Sequence, residues 1–198
     1  MSRSRWRELA VAGHAGDEAA ARAALGDADA VARELALGAL HRMQALDEAT
    51  LRAAMHDSDA GVRRRAALIA GTRPGCSLLD LLHDGDNTVV EAAAWSCGEQ
   101  EVVDDDVFAR LLALAADSTD ALVREAAVAA LGAIGDERGL PAILAACADK
   151  PAVRRRAALA LAPFDGPEVD AALQAALEDR DWQVRQAAED VLRAAGGE

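Results

Sequence analysis

The side chains able to carry acid–base, nucleophilic or metal chemistry in this chain are few and scattered. The histidines are His14, His41, His56 and His83, and the cysteines are Cys76, Cys97 and Cys147. A zinc or iron site needs several such ligands at fixed spacings, and these positions match no metal motif. His56-Asp57 and His83-Asp84 stand at equivalent places just past an apolar run, where histidine complements the negative end of a helix. A nucleophilic cysteine needs a base beside it. Cys97 and Cys147 fall where the pattern calls for alanine or leucine, so they read as core filling. Gly132-Ala-Ile-Gly135 follows a helical run instead of opening one, the wrong side for a phosphate loop. Asp104-Asp105-Asp106 is acidic enough for a cation, but three acids opening a helix already offset its dipole. The expectation is no catalytic residue, no metal and no cofactor: the chain reads as a non-enzyme.

What recurs is arginine. The chain reads Val62-Arg63-Arg64-Arg65-Ala66-Ala67, Val123-Arg124-Glu125-Ala126-Ala127, Val153-Arg154-Arg155-Arg156-Ala157-Ala158 and Val184-Arg185-Gln186-Ala187-Ala188. A fifth copy begins with Ala32-Arg33, and a sixth, Val89-Val90-Glu91-Ala92-Ala93, has lost the arginine. From Ala32 the intervals are 30, 27, 34, 30 and 31 residues. A period near thirty means stacked units, each unable to bury its apolar face alone. Asp29, Asp59, Asp120 and Asp181 each precede their arginine by four residues, which places the two on one helix face. A partly buried arginine needs a carboxylate, and these aspartates are the expected source.

The elements that must hold these residues are helices. Val123, Ala127, Leu131 and Ile134 form one stripe at helical spacing, with Asp120 as N-cap and Gly132, Gly135 and Asp136 marking the end. Asp29, Asp59, Asp86 or Asn87, Pro151 and Asp181 open the other copies. A second series lies between them: Asp17–Leu25, Asp47–Met55, Ser77–Leu82, Asp106–Ala115, Leu140–Ala148 and Glu168–Leu177. The chain therefore reads as one domain over 1–198, with a half-repeat cap over 1–16 around Trp6 and six two-helix repeats over 17–195. Glu99–Asp106 is the expected irregular loop, and Ala194–Glu198 is expected to fray.

Composition narrows the partners. Aromatics make up 3% of the chain and tyrosine is absent, which argues against a β-sandwich. The net charge is −13, from 34 acidic and 21 basic residues, and such a surface repels a phosphate backbone. No run approaches the length of a membrane span. An odd cysteine count without a signal peptide points to reduced thiols in the cytoplasm.

Val123 to Asp136, with its Val-Arg-x-x-Ala-Ala core and Gly-Asp ending, resembles the short HEAT-like repeat of the phycobilisome-lyase type. The resemblance implies an all-α fold, a right-handed α-α superhelix of about six helix pairs. First helices would lie on the convex side and second helices on the concave side. It also implies that the arginines and aspartates bridge neighbouring repeats, with an interruption at Val90. Iron enzymes with this repeat, similar to deoxyhypusine hydroxylase, carry His-Glu pairs. Here the histidines are followed by Ala15, Arg42, Asp57 and Asp84. Glycosylases with HEAT-like repeats bind duplexes through a basic concave face. The corresponding face here, Glu34, Arg64, Glu91, Glu125, Arg155 and Gln186, is mixed in sign.

The function expected from these residues is a monomeric scaffold or adaptor that presents the second-helix groove to a protein or peptide. It binds neither nucleic acid nor membrane. The resemblance supplies the alternatives: a subunit of a bilin (tetrapyrrole) lyase or chaperone and, less favoured, a DNA-repair glycosylase-like protein. The expected groove residues are Arg64, Arg65, Glu91, Trp95, Glu125, Arg155 and Arg156, with Glu125 facing solvent. Trp95 has two open readings, a groove anchor or a filler between repeats. Trp6 and Trp182 are expected to pack the array ends.

Overall fold

The structure is a computed structural model and describes residues 6–7, 11 and 15–196. Among the described residues there are twelve α-helices and no strand. First helices are α1 (Glu18–Ala24), α3 (Glu48–Met55), α5 (Leu79–Leu82), α7 (Asp105–Asp117), α9 (Leu140–Ala146) and α11 (Pro167–Leu177). Second helices are α2 (Ala30–Arg42), α4 (Ala60–Ala70), α6 (Asn87–Cys97), α8 (Ala121–Ile134), α10 (Pro151–Ala160) and α12 (Trp182–Ala195). The chain is an α-α solenoid, with six such pairs among the described residues. Most of the half-repeat cap lies outside the described residues. Trp6 does not: its indole Nε1 donates to Asp29 Oδ2 at 2.9 Å, at the start of α2.

Local chemistry sets the helix ends. Asp29, Asp59, Asp86, Asp120 and Asp181 cap the second helices, each accepting the backbone N–H two residues on. Asp17, Asp47 and Asp104 cap first helices by accepting the N–H three residues on. Pro151 opens α10 at a first-turn position, where its missing N–H costs nothing. Gly135 ends α8 in the left-handed conformation at φ 67°. Gly132 does not mark that end; it lies inside α8, buried. The last helix runs on through Ala195, past the expected fraying point.

The core follows from small residues. Val62, Val89, Val123, Val153 and Val184 are 0–2% exposed, and Ala66, Ala93, Ala127 and Ala158 are at most 1%. One continuous cluster runs from Ala21 to Val191. Second helices pack on their successors more extensively than first helices do. A methyl added at Gly132 would lie 2.6 Å from Ala160 Cβ, and one at Gly71 would lie 2.7 Å from Ser96 Cβ. The close-packed row is the inner side of a curved stack, so the second helices line the groove.

The arginines tie the stack, but not through the aspartates four residues before them. Those are occupied as N-caps. The acceptor is instead the aspartate in the turn of the next repeat. Arg33 forks onto Asp57 at 2.9 and 2.6 Å, and Arg63 onto Asp84 at 2.6 and 2.8 Å. Arg124 forks onto Asp149 at 2.6 and 2.7 Å, and Arg154 onto Asp179 at 2.8 and 2.7 Å. The remaining Nη1 of each arginine donates backward to a carbonyl of its own turn: Asp27, Asp57, Ser118 and Asp149. Arg185 does the same to Asp179 O at 2.7 Å. The result is a ladder in which one turn serves two arginines.

The ladder breaks between repeats three and four, as the loss of arginine at Val90 implies. Both partners are changed. Val90 stands for the arginine, and Ser118 occupies the turn position held elsewhere by Asp57, Asp84, Asp149 and Asp179. A cavity of about 310 Å³ opens there, lined in part by Val90, Asn87, Arg110, Asp117, Ser118 and Val123. Two substitute contacts span the joint. Asn87 Nδ2 donates to Asp120 Oδ2 at 3.2 Å, and Arg110 Nε donates to Leu82 O at 3.1 Å.

Two outcomes are expected. Val90→Arg alone fills the joint with a guanidinium that lacks the turn aspartate the other rungs fork onto, and should destabilise, while Val90→Arg with Ser118→Asp rebuilds the rung. A double-mutant cycle in urea should give a favourable coupling of about 1–3 kcal/mol; a coupling near zero would show that the cavity cannot seat the fork. The second concerns acid. The paired guanidinium holds each of Asp57, Asp84, Asp149 and Asp179 below the usual carboxylate range. A carboxylate whose folded pKa lies below its unfolded value adds stability that is complete above about pH 4 and lost as pH falls through the folded pKa. Chemical denaturation should therefore show stability holding from neutral pH to about pH 5 and dropping below about pH 4. Asp179→Asn should flatten part of that drop.

Candidate functional site

The residues that could do covalent or metal chemistry are dispersed along the array. Burial pushes the Cys97 thiol up to about 12. Burial raises the Cys76 and Cys147 thiols as well. A thiol so held carries little thiolate at neutral pH. His56 and His83 sit at the C-caps of α3 and α5, and their neighbours Asp57 and Asp84 are ladder acceptors. His41 lies in the last turn of α2, and burial together with Arg73, Arg65 and Arg42 lowers its pKa. His14 lies outside the described residues. Asp104 caps α7, and Asp105 pairs with Arg138 at 2.9 Å. Among the described residues no three His, Cys, Asp or Glu side chains converge to hold a metal ion.

The groove is where side chains converge without structural employment. An open cleft of about 500 Å³ lies across α6, α8 and α10. Ala129, Ala130, Gly132 and Ala133 of α8 form its floor, and Leu159, Ala160 and Pro163 one wall. Trp95 and Glu99 lie on the α6 side and Arg156 on the α10 side. The cleft exists because α8 offers only alanine and glycine where α6 offers tryptophan and α10 leucine. Arg156 reaches across that low floor, and its guanidinium carbon stands 5.2 Å from the centre of the Trp95 ring. Glu125 Oε1 lies 3.5 Å from Arg155 Nη2 and 3.7 Å from Arg156 Nη2. One carboxylate thus serves two guanidinium groups.

Four of the seven expected groove residues, Trp95, Glu125, Arg155 and Arg156, form this single cluster. Trp95 is 41% exposed, which places it in the groove and not in the gap between repeats. Glu125 is not solvated as expected: its side chain is 17% exposed beneath the arginine pair. Arg65 lies against α2, where a methyl at Gly38 would meet its Nη2 at 2.6 Å. Arg64 is exposed on α4, and Glu91 is half-buried on α6, neither in the cleft lining. Sequence reasoning missed the floor and Glu99. The signal was present as Gly98 and Gly132, each eight residues after its arginine position, where bulk is excluded. Trp182 is 65% exposed at the start of α12 and does not pack the array end.

Glu125→Lys is expected to lose about 1–3 kcal/mol in urea denaturation, because it places a third cation among Arg155 and Arg156 in a half-buried site. A loss within about 0.5 kcal/mol, the usual range for a surface change, would mean that Glu125 is solvated after all.

The HEAT-repeat profile matches residues 77–152 and 108–193. No curated protein matches the chain. Among solved structures, the chain is similar to YibA of E. coli, with 19% identity and TM-score 0.67, covering 97% of this chain and 75% of that one. Human deoxyhypusine hydroxylase, solved with glycerol, shares 21% identity at TM-score 0.51 over 96% of this chain and 77% of that one. A designed armadillo repeat protein in complex with the peptide (KR)4 shares 16% identity at TM-score 0.50, over 96% and 90%. At these identities the likeness is one of fold, and the profile match is to HEAT repeats in general, with no lyase subtype. By the profile and by its six stacked helix pairs, this chain belongs to the HEAT-repeat family.

Proposed function

We propose that this chain is a non-enzymatic interaction module whose second-helix groove receives a segment of a partner protein. The observation that carries the reading is the cleft floored by α8 and bounded by Trp95 and Arg156. A large aromatic side chain and an arginine are the residue types that most often anchor interfaces. Here they stand in a concave, largely apolar setting, near the middle of the array. The ladder arginines, by contrast, are spent on stacking. The peptide complex formed by a designed armadillo repeat protein supports the reading by analogy of architecture.

Affinity capture from the host lysate tests this, comparing wild type with Trp95→Ala and with the double reversal Arg155→Glu, Arg156→Glu. The expected result is a specific partner retained by wild type and lost by both variants, with helical circular dichroism unchanged. Capture unaffected by either variant would move the docking face elsewhere. Duplex DNA is not expected to compete: a long phosphate backbone spans more surface than the arginine cluster, and over that surface a net charge of −13 repels it. Micromolar binding of a random duplex by fluorescence anisotropy at physiological salt would contradict that.

A further inference from the structure

We infer that the cleft across α6, α8 and α10 takes an acidic peptide segment, with one large apolar side chain in the cleft and a neighbouring Asp or Glu on Arg156. The inference rests on the groove reading above and adds the chemistry of the occupant.

The argument starts from hydrogen bonds that are not made. Each forked ladder arginine donates at least three, two to a carboxylate and one to a carbonyl. Arg156 donates none among the described residues. Its nearest carboxylate oxygen is Glu125 Oε1, at 3.7 Å, and its Nε is buried without a partner. Arg155 is little better served: one 3.5 Å contact to the same oxygen, and an Nε also buried without a partner. A guanidinium group has five N–H donors in a fork that fits a carboxylate. Leaving such donors unmet in a half-buried site is costly, and a ligand carboxylate supplies the missing acceptors.

Local charge has the same sense. Two arginines share the Glu125 carboxylate, so the α10 side of the cleft carries one positive charge in excess, while Glu99 on the α6 side offsets it across the cleft as a whole; the acidic residue of the occupant therefore belongs at Arg156 and not at the α6 rim. One face of the Trp95 ring already carries the Arg156 guanidinium. A lysine or methylated lysine entering on that face would meet the like charge of Arg156. The net charge of −13 does not overturn this. At physiological ionic strength, exposed charges beyond about 8 Å are largely screened, so the distant acidic surface slows encounter more than it weakens the bound state.

Shape supplies the other half. The floor and wall at Ala129, Ala133, Leu159 and Pro163 offer carbon and no charge, and about 500 Å³ is room for a single large side chain with its backbone. Glu99, exposed on the rim opposite Arg156, suits a backbone N–H or a basic neighbour. Along the groove, Arg64, exposed on α4, adds a further basic group for a second acidic residue.

The test uses fluorescein-labelled nine-residue peptides, acetylated and amidated at their ends, titrated into the whole chain by anisotropy. One carries a central Phe flanked by Glu and Asp. A second has Lys at the flanks, and a third has Ser at the centre. The acidic Phe peptide should bind at least tenfold tighter than the other two. Arg156→Gln and, independently, Ala133→Trp, which fills the cleft from an exposed position, should each weaken it at least tenfold with helical dichroism unchanged. If the Lys-flanked peptide binds as tightly or tighter and Ala133→Trp removes it, the groove reading stands and the acidic occupant is wrong. If the acidic peptide binds both variants like wild type, or does not bind at about 1 mM, the inference fails. Lysate capture then still decides the groove on its own.

Discussion

The forked bond between an arginine of one repeat and the turn aspartate of the next is the constraint on which the rest depends. The surfaces that stack are alanine-rich, with few side chains large enough to interlock. Such faces bury area but define position weakly, since sliding one along the other changes little. Two parallel N–H···O bonds at 2.6–2.9 Å, plus a backward bond to a carbonyl, fix distance and angle together. Replacing a buried pair by apolar residues is often neutral for stability. Setting the register between smooth helices is therefore the role in which these forks have no apolar substitute. Once register is set, small residues on successive second helices meet closely enough that Gly132 admits no methyl group, and the groove has a defined floor.

Much of this was legible in the sequence. The repeat period, the capping aspartates and the buried valine and alanine positions rest on local rules, so the six helix pairs could be drawn from spacing. The ladder partners could not. Asp59 and Asp57 are two residues apart and both suit an arginine on grounds of charge. Only the packed stack shows that the first is consumed by an N–H and the second faces the preceding repeat. Glu125 misled for a related reason: being next to a stacking arginine suggested an outward face, while its surroundings are set by α10, thirty residues on. The shortness of α5 was legible, by contrast: the run expected over Ser77–Leu82 exceeds the observed Leu79–Leu82 by two residues, because the Pro74-Gly75 turn takes up chain that other repeats spend on helix.

The groove shows how the same residue type is assigned opposite roles by what it can reach. Arg154 and Arg156 are neighbours on α10. The first points between repeats, finds Asp179 and a carbonyl, and is 8% exposed with its donors met. The second points along the inner face, finds an aromatic ring and a distant, shared carboxylate, and keeps its donors. Helical rotation of two residues separates architecture from recognition. A solenoid can therefore vary its reading surface without touching the bonds that hold it together.

The break between repeats three and four has a consequence for how such an array can be lengthened or shortened by recombination. A rung joins the second helix of one repeat to the turn of the next, so the inherited unit is turn to turn and not helix pair to helix pair. Excising the third repeat whole would bring Arg63 against the turn of Ser118 and strand a cation. Excising from the turn at Asp84 to the turn at Ser118 removes the gap itself: Arg63 keeps Asp84, and α8 follows directly with Arg124 forked to Asp149. The modules that look interchangeable in the sequence are offset by half a repeat from the modules that are interchangeable in the molecule.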